Sequence, residues 1–197
     1  NKLNKMLVKH HNMIRSNNNT INSNNNINNN IQNNHITNHI QLIGFGKEDG
    51  IPQLLTDQEK KVILDMRLLS LQKLVSLVHC GNYNQFKNII ITNMKNKYMY
   101  KYDDKEGIFK LGTKDEIIDT LINCRITDLD TILNECSERN TINAKTKERV
   151  EDFINGMNGG DESLRKYHVE EIKLLLFNSK DKITDDISLM LTVNEDV

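Results

Sequence analysis

The residue types with the most chemical reach in this 197-residue chain fall between positions 79 and 102. His79 is followed by Asn82, Asn88 and Asn93, and a histidine with several amides near one sheet end could bind a phosphate, a base or a metal-bound water. No carboxylate at a suitable spacing accompanies His79, so general acid–base catalysis lacks its second member. Helix-cap and turn positions recruit the same residue types, and this structural reading is the preferred one. A few residues on, Tyr98, Tyr100 and Tyr102 alternate with Met99 and Lys101. With Lys95 and Lys97, the residues Tyr98, Tyr100 and Lys101 could form an aromatic platform in a basic groove, as in single-strand nucleic-acid binders. The competing expectation is that the tyrosines face the helices as core while the lysines face water, and burial decides between the two.

Other motifs carry less. His35 and His39 in HITNH have the spacing of the histidine half of a C2H2 zinc finger, but no cysteine pair precedes them, so no metal site is expected. His10 and His11 sit on a basic tail, and His168 reads as a packing residue. Gly44-Phe-Gly46 lacks the spacing of a phosphate loop and reads as a short edge strand and turn whose Phe45 plugs the core. Cys80, Cys124 and Cys136 form no CxxC pair and leave one over, which predicts free thiols in a reducing, intracellular compartment. No apolar run approaches the ~18 residues needed to span a bilayer, so no membrane partner is expected.

The net charge of −1 hides a strong asymmetry. Residues 1–43 carry four bases and no acid, residues 66–102 carry six bases and no acid, and residues 103–197 hold 22 acids against 13 bases. A near-neutral chain of this kind can still present a positive face to a phosphate backbone, although charge runs usually serve only to solvate a surface.

These residues need elements to position them. Residues 1–15 place Leu3, Leu7, His10 and Ile14 at alternating four- and three-residue spacing, the seam of two heptads, and predict a short amphipathic helix that could support a homodimer. Twelve of the eighteen residues from Asn17 to Asn34 are asparagine. Such a stretch buries no apolar area to offset its ordering entropy, so 16–38 reads as a disordered linker. The folded part is expected over 39–190, with an acidic tail at 191–197.

Within it, Thr56-Asp-Gln-Glu59 is a capping box opening a helix whose stripe would be Val62, Ile63, Met66 and Leu69. Ser70 would cap a second helix carrying Leu71, Leu74, Val75 and Val78. Three β-prone runs follow: NIIITN at 88–93, the tyrosine run, and Ile108-Phe-Lys-Leu111 after an Asp103–Gly107 turn, together an antiparallel meander. Thr113-Lys-Asp-Glu116 is a second capping box, and Thr127-Asp-Leu-Asp130 looks like a fresh cap that predicts a helix break near Arg125. Two more helices are expected, from about Lys145 to Ile154 and after Asp161, separated by a turn over Gly156–Gly160. The stretch ISLMLTV near the end reads as a weak strand.

HIQLIGFGKED after an Asn-rich linker, a helix ending in His79, NIIITN, the aromatic strand, GIFKL and DEIIDTLI together resemble the C-terminal region of a family of uncharacterised proteins of nucleocytoplasmic giant DNA viruses. Members of that family look like an N-terminal C2H2 zinc finger, a coiled coil, an Asn-rich spacer and this module. His79 and Asn88 match the family pattern. A Pro-Glu pair before the isoleucine strand is absent here, and Phe109 stands where a tryptophan is common. The resemblance implies a host-cytoplasm or viral-factory setting and zinc, if any, in a finger upstream of Asn1; the chain opens on Asn rather than Met, as a fragment or processed product would.

The expected architecture is α+β: a disordered arm, then a three-stranded antiparallel meander covered by four to six helices. The expected function is a non-catalytic binding module of a viral zinc-finger-type protein, assisting association with DNA, RNA or a protein, with no cofactor in this stretch. One alternative is a divergent nuclease-like enzyme centred on His79, which would need carboxylates brought from the helices beside that residue. Another is a structural interaction module, marked by an exposed apolar patch on the helix after Asp161.

Overall fold

A computed structural model of the chain describes residues 41–192, with side chains through Ser188. The segment 1–15, the Asn-rich 16–38, the histidine pair at 35 and 39, and all of the expected tail but Leu191 and Thr192, which end the last helix, lie outside the described residues. The fold is α+β. A three-stranded antiparallel sheet of order β1-β2-β3 is built from β1 (Ile89–Ile90), β2 (Tyr98–Asp103) and β3 (Ile108–Thr113). The helices are α1 (Ile51–Leu54), α2 (Asp57–Asp65), α3 (Ser70–His79), α4 (Lys114–Glu138), α5 (Ala144–Asn158), α6 (Glu162–Asn178) and α7 (Lys180–Thr192).

The capping box at Thr56 forms as expected: the Glu59 N–H donates to Thr56 Oγ1 at 3.2 Å and the Thr56 N–H donates to Glu59 Oε2 at 2.8 Å. The buried side of α2, however, is Lys60, Ile63 and Leu64. Val62, Met66 and Leu69, expected in the core, are 38%, 42% and 40% exposed. Lys60 sets this rotation: its ammonium reaches Glu135 of α4 at 2.6 Å while its stem packs inside, so the face one position away turns outward. The helix then stops at a turn in which Arg67 adopts a left-handed φ of 54°. Ser70 is the first residue of α3 rather than its cap, and its buried hydroxyl makes no hydrogen bond. Leu71, Leu74, Val75 and Val78 are buried as their spacing requires.

The expected break near Arg125 is absent. Helix α4 runs through 25 residues, about 37 Å at the usual rise. Thr127 is in no capping position; its hydroxyl donates back to the Asn123 carbonyl at 3.1 Å, and Thr120 two turns before it and Thr131 one turn after it do the same to their own preceding turns. Nor does Thr113 accept a capping bond, since its hydroxyl instead donates to the Glu116 carboxylate. Helix α4 is the spine, packing against β2 and β3 on one side and α1, α2, α3, α5 and α6 around it.

Helix α5 continues through Gly156, where an added Cβ would meet Leu164 Cδ2 at 2.9 Å, so the α5–α6 turn narrows to Gly159 and Gly160. The expected C-terminal strand is helix α7: Ile183 and Ile187, four apart and both fully buried, impose the helical period. The expected edge strand near residue 42 is irregular backbone held by the Ile43 N–H on the Gln85 carbonyl and the Phe45 N–H on the Tyr102 carbonyl. Phe45 is half-buried against the core. Cys80, Cys124 and Cys136 are free thiols, and no helix among the described residues is long and apolar enough to cross a membrane.

Candidate functional site

The structure divides the chemistry-bearing residues into two regions. His79 ends α3 with no exposed surface, and Asn88, just before β1, has none either. The imidazole Nδ1–H donates to the Phe86 carbonyl at 2.9 Å, and Nε2 accepts from Arg125 Nη1 at 3.1 Å. A carbonyl can only accept and a guanidinium can only donate, so the tautomer is fixed. Burial, reinforced by the Arg125 charge, pushes the His79 pKa down to about 3. The ring is therefore neutral, with both nitrogens engaged.

Two carboxylates join this network. Arg125, 2% exposed, holds Asp128 with its Nε 2.8 Å from Oδ2, a Coulombic contact too far off the N–H line to be a hydrogen bond. Burial raises the Asp128 pKa and Arg125 opposes that rise. On the other side Asn88 Nδ2 donates to the Ile43 carbonyl at 3.1 Å and to Glu48 Oε1 at 2.6 Å, while Glu48 Oε2 accepts the Gly46 N–H at 2.9 Å. Gly46 turns the loop with a φ of 85° that favours glycine. Asn88 thus staples the 43–48 loop to the start of the sheet.

The other two candidates of this set lie elsewhere. Asn82 is exposed. Asn93 is exposed in the β1–β2 turn, where its Oδ1 accepts the Lys95 N–H at 2.8 Å and its carbonyl accepts from Lys114 Nζ at 3.1 Å. The carboxylates that an enzyme centred on His79 would need are thus beside its partners, but walled in: His79, Asn88 and Arg125 are almost fully buried and Glu48 is 7% exposed. With its lone pair taken by Arg125 and its N–H by a carbonyl, His79 has no free atom to offer a substrate, and the geometry is that of a structural lock.

Sequence reasoning missed Arg125, Asp128 and Glu48. A signal was present: Arg125 falls in the stripe of Leu121, Ile122 and Leu129, and a cation in the core register must find buried partners. A second buried cation was also missed. Lys87, 1% exposed, donates to Asn84 Oδ1 at 2.6 Å and to the Asp186 carboxylate, tying α7 to the segment before β1.

The second region is the sheet. Tyr98, Tyr100 and Tyr102 pair with Thr113, Leu111 and Phe109, so these six share one face. Met99, fully buried, and Gly112 lie on the opposite face, where an added Cβ at Gly112 would stand 3.0 Å from Ile117 of α4. The tyrosines therefore face away from α4, yet Tyr100 and Tyr102 pack against the core from that side, with Phe109 buried on the same face; of the three expected as core, only Tyr98 is exposed. Tyr100 and Tyr102 are half-buried, and Tyr102 packs its ring 5.3 Å from Phe109. Tyr98 is 39% and Leu111 59% exposed.

Lys95 and Lys97 are exposed in the adjoining turn, which two Asx bonds and the buried Lys114 ammonium hold in place. The Lys97 ammonium stands 5.0 Å from the Tyr98 ring centroid. Lys101, also exposed, belongs to the Gly112 face. The pleat therefore separates it from the tyrosines.

His168 is a packing residue: it is 1% exposed, accepts from Gln72 Nε2 at 2.7 Å through Nδ1 and lies 4.9 Å from the Phe153 ring. On α6 the exposed apolar residues are Tyr167 and Leu174, with the exposed Glu170 and Glu171 between them, so they form no continuous patch. Among the described residues no three His, Cys, Asp or Glu side chains gather as metal ligands. Comparison with protein-family models, with curated proteins and with solved structures found no significant match.

Proposed function

We propose that the chain is a non-catalytic binding module that takes nucleic acid, preferentially single-stranded, at the Tyr98 end of its outer sheet face. The observation that carries this reading is the exposed Tyr98 ring beneath the Lys97 ammonium, with Lys95 exposed in the same turn and Leu111 open on the same face. A base stacks on an aromatic ring of any sequence context while neighbouring lysines meet its phosphates, which gives sequence-tolerant and salt-sensitive binding. The resemblance to giant-virus zinc-finger proteins fits an auxiliary role of this kind, with sequence reading left to a finger upstream.

The test is fluorescence anisotropy of the full chain with labelled single-stranded and duplex DNA at low and near-physiological salt. Binding by the parent should weaken steeply with salt, and Lys95→Glu with Lys97→Glu should make the log–log salt slope shallower by about 1.4 for single strands. No binding by the parent at low salt would remove the proposal. Protein association is a second reading, favoured by the exposed Val62 on α2 and the exposed Met66, Leu68 and Leu69 just past its end.

A further inference from the structure

Strand β3 is an edge of the sheet, and the hydrogen-bond phase shows which of its backbone groups are left over. The Lys114 N–H donates to the Lys97 carbonyl at 2.7 Å, so odd-numbered residues of β2 bond toward β3. The Tyr102 N–H donates to the Asn88 carbonyl at 2.7 Å, so even-numbered ones bond toward β1. In the β2–β3 register, Ile108, Lys110 and Gly112 therefore turn their backbone groups onto β2. The N–H groups of Phe109, Leu111 and Thr113 and the carbonyls of Phe109 and Leu111 point out of the sheet, and among the described residues none of them has a partner. Leu111 stands in the middle of this row and is 59% exposed. An open edge is a template for a further strand unless it is guarded, commonly by a lysine. Here Lys110 is held by its own hairpin, 2.7 Å from both Asp103 and Glu106.

We infer that the edge takes a second copy of this chain, β3 pairing antiparallel with β3 across a two-fold axis at Leu111 to make one six-stranded sheet. The strand is complementary to itself in that register. Each Leu111 N–H meets the other Leu111 carbonyl, and each Thr113 N–H meets the facing Phe109 carbonyl. On the tyrosine face the two Leu111 side chains lie against each other. On the opposite face each Lys110 stands beside the bare Gly112 of the other copy rather than beside a lysine, in the pair type that brings side chains closest. That glycine leads into the acidic first turn of α4, Asp115 and Glu116, so the lysine approaches opposite charge.

The helices fit as well. Helix α4 packs against both β2 and β3, so its two copies come to lie about 10 Å apart under the joined sheet, the ordinary separation of packed helices. One consequence rests on the nucleic-acid reading above. Both Tyr98 rings then stand on one face, about 20 Å apart, and a single strand can engage two stacking platforms and two Lys97 ammoniums at once.

Because residue 111 faces its own copy, charge reversal gives a test that a contact elsewhere does not imitate. Sedimentation equilibrium of the full chain at high micromolar concentration should show the parent dimerising. Leu111→Glu and Leu111→Lys, at an exposed position, should each stay folded and lose association by about tenfold or more, and an equimolar mixture of the two should recover the dimer. Leu111→Pro removes an N–H that bonds nothing within one copy, so it should be monomeric with an unchanged circular dichroism spectrum.

A monomeric parent overturns the inference. Dimers that persist in all three variants also overturn it, because the contact is then elsewhere, and so does a Glu–Lys mixture that stays monomeric. A dimer that obeys these rules but takes no single-stranded DNA upholds the inference and removes the nucleic-acid reading instead.

Discussion

The polar residues around His79 and those around Tyr98 belong to one small domain and sit a few residues apart on consecutive segments, yet they have opposite surroundings. In the first group His79, Asn88, Arg125 and Glu48 are buried, the imidazole is neutral, and both its nitrogens are engaged by Phe86 and Arg125 while Asn88 donates to Glu48. In the second, Lys95, Lys97 and Tyr98 reach into water from a turn whose backbone is fixed from below by Asn93, Asn96 and Lys114. A histidine among asparagines and carboxylates resembles a site only until its hydrogen-bonding capacity is counted. Capacity used up internally contributes to stability, and capacity left toward solvent on a rigid support is available for a ligand.

The sharpest way to break this comparison is to cut the buried network. Arg125→Ala strands the His79 Nε2 acceptor and an internal carboxylate, and should lower unfolding free energy by about 3–5 kcal/mol, measured by urea denaturation. The affinity of the remaining folded protein for single-stranded DNA should be unchanged. Acid should expose the same network more gently. His79 has a folded pKa near 3, below its ordinary 6.5, so the unfolded chain binds the extra proton between those values. Stability is full above pH 6.5 and falls by a few kcal/mol as pH drops toward 3. A His79→Gln variant, starting from a lower plateau, should show a flatter profile over that window, followed by thermal melts across pH.

Smaller effects sharpen the other side. Lys87→Met removes the buried cation that holds α7 and should cost about 1.5–3 kcal/mol, with hydrogen exchange rising first in α7. Tyr98→Ala should cost about 1–3 kcal/mol in single-strand binding but under about 1 kcal/mol in stability. Lys101→Glu, on the far side of the pleat, should change binding less than Lys97→Glu in the same anisotropy assay. Equal effects would mean that the ligand wraps the sheet edge rather than lying on one face.

What could be read from the sequence was what adjacent residues decide. The Thr56 box, the apolar stripe of α3 and the order of the meander depend on spacings of two to four residues, and all three form. The rotation of α2 was not legible because Lys60 finds Glu135 seventy-five residues away. The unbroken α4 was missed for a related reason: a Thr-Asp-Leu-Asp run caps a helix in isolation, but here Asp128 is drawn to Arg125 inside the helix. His79 and Asn88 stood out by residue type, yet their meaning depended on Glu48 and Arg125, which arrive from a loop and a helix on either side in sequence.

The most direct test compares three proteins in one titration: the parent, Lys95→Glu with Lys97→Glu, and His79→Gln, each verified as folded and titrated with single-stranded DNA at several salt concentrations. The division of labour between the two regions requires that the lysine variant lose affinity and salt slope while His79→Gln keeps both. Loss of binding in His79→Gln with the lysine variant unaffected would contradict it and return the function to the buried cluster.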